Sequence, residues 1–218
     1  LRNVNFTGAN LNDAKLFSAE LAGANFSSAT LVKADLNHAT VTQGRRFLLF
    51  GSRGTDLTGA DLTGANLTGT RVLDAPGQSN ITELRGFSTA TFIGANLSEL
   101  NLNGADFSAK NLTGVNFDKS TLRSAKFIWA DLTDAGLSEA DITNANFTNA
   151  SLSDTKNLKT ATGFGTANFS GADLAGQDLS SLDLSRTNFS GADLNGVNLT
   201  GADVTKADFG GADLTDIV

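Results

Sequence analysis

The sequence predicts an all-β solenoid, a four-sided coil of stacked parallel strands wound about eleven times. Two spacings carry this prediction. Large apolar residues recur at every fifth position, and phenylalanines recur at every twentieth. Leu1, Phe6, Leu11, Leu16, Leu21, Phe26, Leu31, Leu36 and Val41 form one run of fives; further runs go from Leu57 to Val72, Phe87 to Leu152 and Phe164 to Leu214. A period of five fits neither the 3.6 of a helix nor the 2 of a flat strand. A fixed period sustained along a chain marks a repeat architecture.

Each five-residue unit has the same plan around its large apolar centre. Ala usually sits two places before the centre, as at Ala9, Ala60, Ala95, Ala130 and Ala192, and Asp or Asn one place before it. Ser or Thr commonly follows, and then a small residue. The second level is set by phenylalanine. Phe6 and Phe26 are twenty apart, as are Phe87, Phe107, Phe127 and Phe147, and again Phe169, Phe189 and Phe209. Four units therefore close one turn, and the rings stack on one wall. One extra residue near 44–46 and two around Leu158 thread a single column through positions 6, 26, 47, 67, 87, 107, 127, 147, 169, 189 and 209. The centre and the small residue two before it face inward, because so narrow a tube holds one large side chain per side. The other three positions face outward. Asn, Asp and Gly suit the corners. Successive coils hydrogen-bond as parallel strands about 4.8 Å apart, which makes eleven levels a rod about 50 Å long, each coil touching only its neighbours.

The composition removes whole classes of chemistry. The 218 residues include no Cys, Met or Tyr, one Pro, one Trp and one His. Disulfides, thiolate nucleophiles and Cys-ligated metals are excluded. The lone His38 argues against a His metal site or a Ser–His pair and reads as a surface residue. No apolar run approaches the roughly 20 residues that span a bilayer, so membrane insertion is not expected. Residues 1–218 read as one repeat domain, already in register at Leu1, and hence as a piece of a longer chain.

Three irregular levels interrupt the pattern, at 42–54, 73–86 and 153–163. The first holds Arg45, Arg46, the apolar run Phe47–Phe50 and Arg53, and reads as a loop or a bulge. The second contains Pro76 and conserves register. The third reads as two one-residue bulges around an inward Leu158, without chemistry. Several inward positions are also unusual: Leu100, Val115, Leu182 and Val197 exceed Ala in size, Gln177 is polar, and Lys110 is charged.

The units Ala60-Asp61-Leu62-Thr63-Gly64 and Ala192-Asp193-Leu194-Asn195-Gly196 resemble the A-(D/N)-L-x-x consensus of the pentapeptide-repeat family, over nearly the whole chain and in about forty copies. The resemblance implies a right-handed quadrilateral parallel β-helix that serves as a platform. It leaves localisation open among cytoplasm, periplasm and, if the source is cyanobacterial, thylakoid lumen.

Two outward features stand out. Leu48 with Leu49, and Ile128 with Trp129, fall on one corner, each pair preceded by a base, Arg46 and Lys126. An exposed Trp beside a base is a common interaction hot spot, so these six residues form a candidate partner-binding edge. Charge is uneven: residues 153–218 carry nine acids against four bases, while residues 1–41 balance three against three. Asp173, Asp193 and Asp213 make one candidate acidic ladder, and Asp183 with Asp203 another. Direct nucleic-acid binding is not expected, because it needs a basic stripe. The leading expectation is a non-enzymatic interaction scaffold or structural rod with a protein partner and no cofactor. The alternative, implied by the family's quinolone-resistance members, is a regulator of gyrase that mimics DNA. Most of the net negative charge sits toward the C-terminal end and the first 86 residues are nearly neutral, which argues against that alternative.

Overall fold

Five backbone N–H groups must be satisfied in every five-residue unit, and the way this is done defines the fold. In the computed structural model, residues 1–21, 23–26, 29–37, 39–41, 71–72 and 90–218 are described. The Phe127 unit shows the scheme. The centre donates to the coil above, Phe127 N to Asn146 O at 2.7 Å, and the preceding residue donates to the coil below, Lys126 N to Ala105 O at 2.8 Å. With Asn146 N donating back to Ala125 O at 2.9 Å, the first makes the parallel bridge Lys126↔Asn146; the second belongs to the bridge below, Asp106↔Lys126. Trp129 N also donates upward, to Thr148 O at 2.9 Å, and Ala130 N closes the corner on Phe127 O at 2.9 Å. That leaves the N–H just after the centre. In the Phe147 unit it is taken by a side chain, Thr148 N donating to Asn146 Oδ1 at 3.0 Å. This is why Asp or Asn precedes the centre: its oxygen satisfies the one donor that no carbonyl reaches. The same bond recurs from Asn5 to Asp213.

The corner residue two after the centre has positive φ, as at Gly114 (67°), Trp129 (60°) and Asn144 (58°), while the residue before it does not. This is the pattern of a type II turn, which favours Gly or Asn there. Two inward positions per side remain, the centre and the residue two before it. They are the buried set: Ala125 and Phe127, Ala130 and Leu132, Ala135 and Leu137, Ala140 and Ile142 are each 2 % exposed or less.

The chain divides into two compact units, 1–101 and 102–218. In the first, Asn5, Asn10 and Lys15 bridge Asn25, Thr30 and Asp35 in register twenty, and Phe6 stacks on Phe26 with ring centroids 4.9 Å apart. Two short strands follow, β1 (Thr40–Val41) and β2 (Arg71–Val72), paired in parallel. Their register departs from the sequence threading. Val41 pairs with Val72, 31 positions on, where a single inserted residue requires 21. Eleven residues beyond one coil therefore lie between the paired positions, too many for a bulge of one. Phe47, Leu67 and Phe87 of the threaded column lie outside the described residues, as does the level at 73–86.

In the second unit the wall of rings is continuous. Phe107, Phe127, Phe147, Phe169, Phe189 and Phe209 stack in turn at 4.8 to 5.6 Å with interplanar angles of 17° or less. The step from Phe147 to Phe169 absorbs two extra residues. Register is twenty at Gly136↔Lys156, twenty-one at Asp141↔Thr162 and twenty-two at Asn146↔Asn168. Each extra residue is taken up by a one-turn 3-10 helix, the first at Leu158–Thr160 and the second at Phe164–Thr166. The second lies beyond the predicted 153–163, because Phe164, a regular centre by spacing, itself opens the turn. Both turns restore the ladder with threonine. Glu139 N donates to Thr160 Oγ1 at 3.1 Å and Asn144 N to Thr166 Oγ1 at 3.0 Å, where a carbonyl normally accepts.

Polar inward residues gather at these levels. The Gln177 amide nitrogen donates to the carbonyls of Leu152, Ser153 and Thr155 at 2.7 to 3.1 Å. Thr155 and Thr187 are buried and donate to Leu132 O and Phe164 O, both at 3.2 Å; Ser120 donates to Phe117 O at 2.7 Å. Leu100, Val115 and Val197 are buried as expected of inward positions, whereas Leu182 is only half-buried. Lys110 is half-buried too, and burial pushes its ammonium pKa down against the pull of Asp106.

Candidate partner-binding edge and acidic ladders

The corner after the Phe wall of the second unit reads Ala109, Trp129, Asn149, Gly171, Gly191, Gly211, all with φ between 57° and 73°. Trp129 is the exception in size. It is 66 % exposed, while its N–H is bonded to Thr148 O and Ile128 O accepts from Ala109 N at 2.8 Å. The backbone is thus fixed and the indole projects from it. Ile128 is half-buried beside it. Lys126 is exposed in the bridge ladder between Asp106 and Asn146. Its charge helps hold the Asp106 carboxyl below its usual range, after hydrogen bonds from the Ser108 hydroxyl and N–H.

The other bases of this coil are not gathered around the indole. Arg123 is on the preceding side, paired with Asp141 at 2.5 Å, and Lys119 occupies the corner after Phe117. Arg46, Leu48 and Leu49 lie outside the described residues. The described part of the edge is therefore Lys126, Ile128 and Trp129.

The acidic ladders are real stacks in the backbone. Asp173 bridges Asp193, Asp193 bridges Asp213, and Asp183 bridges Asp203. Each carboxylate is also a turn-making group, accepting the N–H two residues on at 2.9 to 3.1 Å. Hydroxyl and N–H donation from Ser185, Thr205 and Thr215 lowers the pKa of Asp183, Asp203 and Asp213. Asp183 acts in the opposite sense on Asp203, the repulsion expected of stacked like charges. Asp178, bonded by Lys159 Nζ at 2.9 Å and by Ser180, falls to about 2. Among the described residues no group of three or more His, Cys, Asp or Glu can hold a metal ion, and no helix is long and apolar enough to cross a membrane.

One feature went unread in the sequence. Arg186 and Lys206 repeat at twenty on left-handed corners, with φ of 66° and 62°. They border a groove of about 430 Å³ lined also by Gly165, Thr166, Ser185, Asp203 and Thr205. The two bases recur at twenty in the sequence, but nothing in a five-residue period marks one outward corner residue apart from another.

The model of the family described as pentapeptide repeats matches residues 9–43, 53–73, 87–108, 101–136, 122–156, 167–205 and 178–216. The chain belongs to the pentapeptide-repeat family. The family model gives eight copies, each spanning several five-residue units, so the count of about forty copies is too high by that measure. Comparison with curated proteins gives no significant match. Among solved pentapeptide-repeat structures, the chain is similar to HetL, involved in heterocyst differentiation regulation in the cyanobacterium Nostoc, at 27 % identity, covering 100 % of this chain and 90 % of that one with a TM-score of 0.33. It is similar to QnrB1, a plasmid-mediated fluoroquinolone resistance protein, at 18 % identity, covering 99 % and 89 % with a TM-score of 0.33. A pentapeptide-repeat protein of the Arabidopsis thaliana thylakoid lumen is 29 % identical over 54 % of this chain and 67 % of that one, with a TM-score of 0.26.

Proposed function

We propose that this pentapeptide-repeat protein is a non-enzymatic interaction scaffold that engages a protein partner through the corner bearing Trp129, with Ile128 and Lys126 beside it. The observation that carries this reading is the indole itself, 66 % exposed on a left-handed corner where neighbouring levels place Ala, Asn or Gly. A bulky residue there strains the backbone by about 1 kcal/mol and returns no packing to the core. A rigidly mounted aromatic beside an ammonium suits a protein surface carrying a carboxylate and an apolar pocket. The DNA-mimic alternative draws less support, because the ladder carboxylates already serve as turn acceptors and need no further role. Affinity capture from the source organism's lysate tests the reading, with wild-type protein against Trp129→Ala after both are shown folded by circular dichroism. A partner retained by wild type and lost with the variant supports the corner; equal capture by both overturns it.

A further inference from the structure

The side of the second unit whose centres are Phe164, Leu184 and Val204 carries opposite charges on its two margins. Asp183 and Asp203 precede two of these centres and bridge one another. Arg186 and Lys206 follow the same centres by two places, on the corner at the far margin. All four are exposed, and neither base makes an ion pair with a described residue. Between the margins run Gly165, Ser185 and Thr205, the floor of the groove. Gly165 lies so close to the next coil that a β-carbon would meet Ser185 O at 2.8 Å.

We propose that this side docks a second copy of the chain, face to face and with both solenoids running in the same sense. The charge pattern selects that arrangement. A two-fold axis parallel to the coil stack reverses the direction across the face and preserves the level. Asp183 then meets Arg186 of the second copy, Asp203 meets Lys206, and each pair occurs twice. A two-fold axis across the stack would set acid against acid and base against base. The interface is isologous, as a closed dimer requires, and the small residues between the margins let the two surfaces approach. The ladder rise is common to both copies, so one pair in register places the other in register. Contacts of this kind are exposed and individually weak. The dimer is therefore a low-affinity, salt-sensitive one. It uses a different side of the coil from Trp129 and stands independently of that corner's role.

Sedimentation velocity over a concentration series, at about 50 mM and about 500 mM salt, is the test. Wild type is expected to dimerise at low salt, with affinity falling at least roughly tenfold at high salt. The double variant Arg186→Glu/Lys206→Glu is expected to be monomeric at both; Glu99 and Glu139 already occupy equivalent corners, so glutamate is tolerated there. The double variant Asp183→Asn/Asp203→Asn keeps the side-chain oxygen that each turn needs and is also expected to lose self-association. Mixing the two variants restores a heterodimer, since the acidic margin of one meets the basic margin of the other. Trp129→Ala dimerises like wild type. A monomeric wild type at low salt overturns the proposal, as does a dimer that survives charge reversal or a mixture that stays monomeric.

Discussion

At Gly163 the backbone turns with φ 94°, and a β-carbon built there meets the backbone nitrogen of Thr143 at 2.6 Å. Gly176 also has positive φ, at 70°, but has open space around it. Replacing Gly176 by Ala is expected to cost about 1 kcal/mol, the left-handed penalty alone. Gly163→Ala is expected to cost about 3 kcal/mol, because the clash with a neighbouring coil adds to the dihedral strain. Urea unfolding of both variants checks the difference. Trp129 gives the converse case. Trp129→Gly is expected to stabilise the protein by about 1 kcal/mol while lowering partner capture, the trade expected where a strained residue serves binding. An unchanged or lower stability would remove the strain argument for that corner. Of these residues, the inward pairs were legible in the sequence, because a period of five with Ala two before Leu or Phe admits one reading. The polar inward residues Ser120, Thr155 and Thr187 were not singled out, since a small hydroxyl and a methyl look alike in a size pattern. Only the bonds to Phe117 O, Leu132 O and Phe164 O distinguish them.

The two 3-10 turns are the irregular elements of the second unit, and Gln177 links the first of them to the coil above. Its amide feeds three carbonyls of the turn at Leu152–Thr155 that leads into Leu158. Gln177→Leu keeps the volume and removes all three bonds. A loss of about 2–3 kcal/mol is expected, together with faster amide exchange through 155–162 that leaves the Phe107–Phe127 coils protected. Uniform exchange across the unit would show that the amide is not local support. Thr187→Val is expected to cost about 1 kcal/mol by removing the hydroxyl bond to Phe164 O, which keeps only its bond from Ala167 N. The sum of two insertions was readable, because Phe147 and Phe169 differ by two from a full coil. The first lies at Leu158, where the spacing placed it; the position of the second was not readable, since that turn begins at an apparently regular centre. The pairing of β1 with β2 was misread for a related reason. Fives continue on both sides of 42–54, and periodicity alone does not fix the sequence separation of the positions that pair.

Over the whole molecule the charge pattern sets the response to solvent. The carboxyls of Asp106, Asp131, Asp178, Asp183, Asp203 and Asp213 titrate below the usual 3.8 in the folded chain, Asp178 at about 2. A depressed folded pKa contributes stability that is complete above the unfolded value and disappears as pH falls through the folded one. The melting temperature is therefore expected to stay level from neutral pH to about 5 and to drop between about pH 4 and about pH 2. Asp178→Asn, which retains the turn acceptor but not the Lys159 pair, should flatten the lower part of that drop. A melting temperature independent of pH down to about 2 would contradict the ladder's contribution. With nine acids against four bases in residues 153–218, added salt is expected to raise the melting temperature by screening repulsion along the stacks.

The hydrogen-bond scheme of the regular units has a further consequence for recognition. In the regular units with Asp or Asn before the centre, the N–H groups are consumed by the coil above, the coil below, the unit's own corner or that Asp or Asn. Among the described residues, the sides of these units thus offer no open strand edge. A visiting peptide finds no backbone donors to pair with there, so strand addition is closed to it, and so is the edge-to-edge templating that leads to aggregates. Whatever binds along the sides of these units must be read through side chains alone. Outward residues can then change without disturbing the ladder beneath them, which makes specificity and stability separately adjustable in the same five residues.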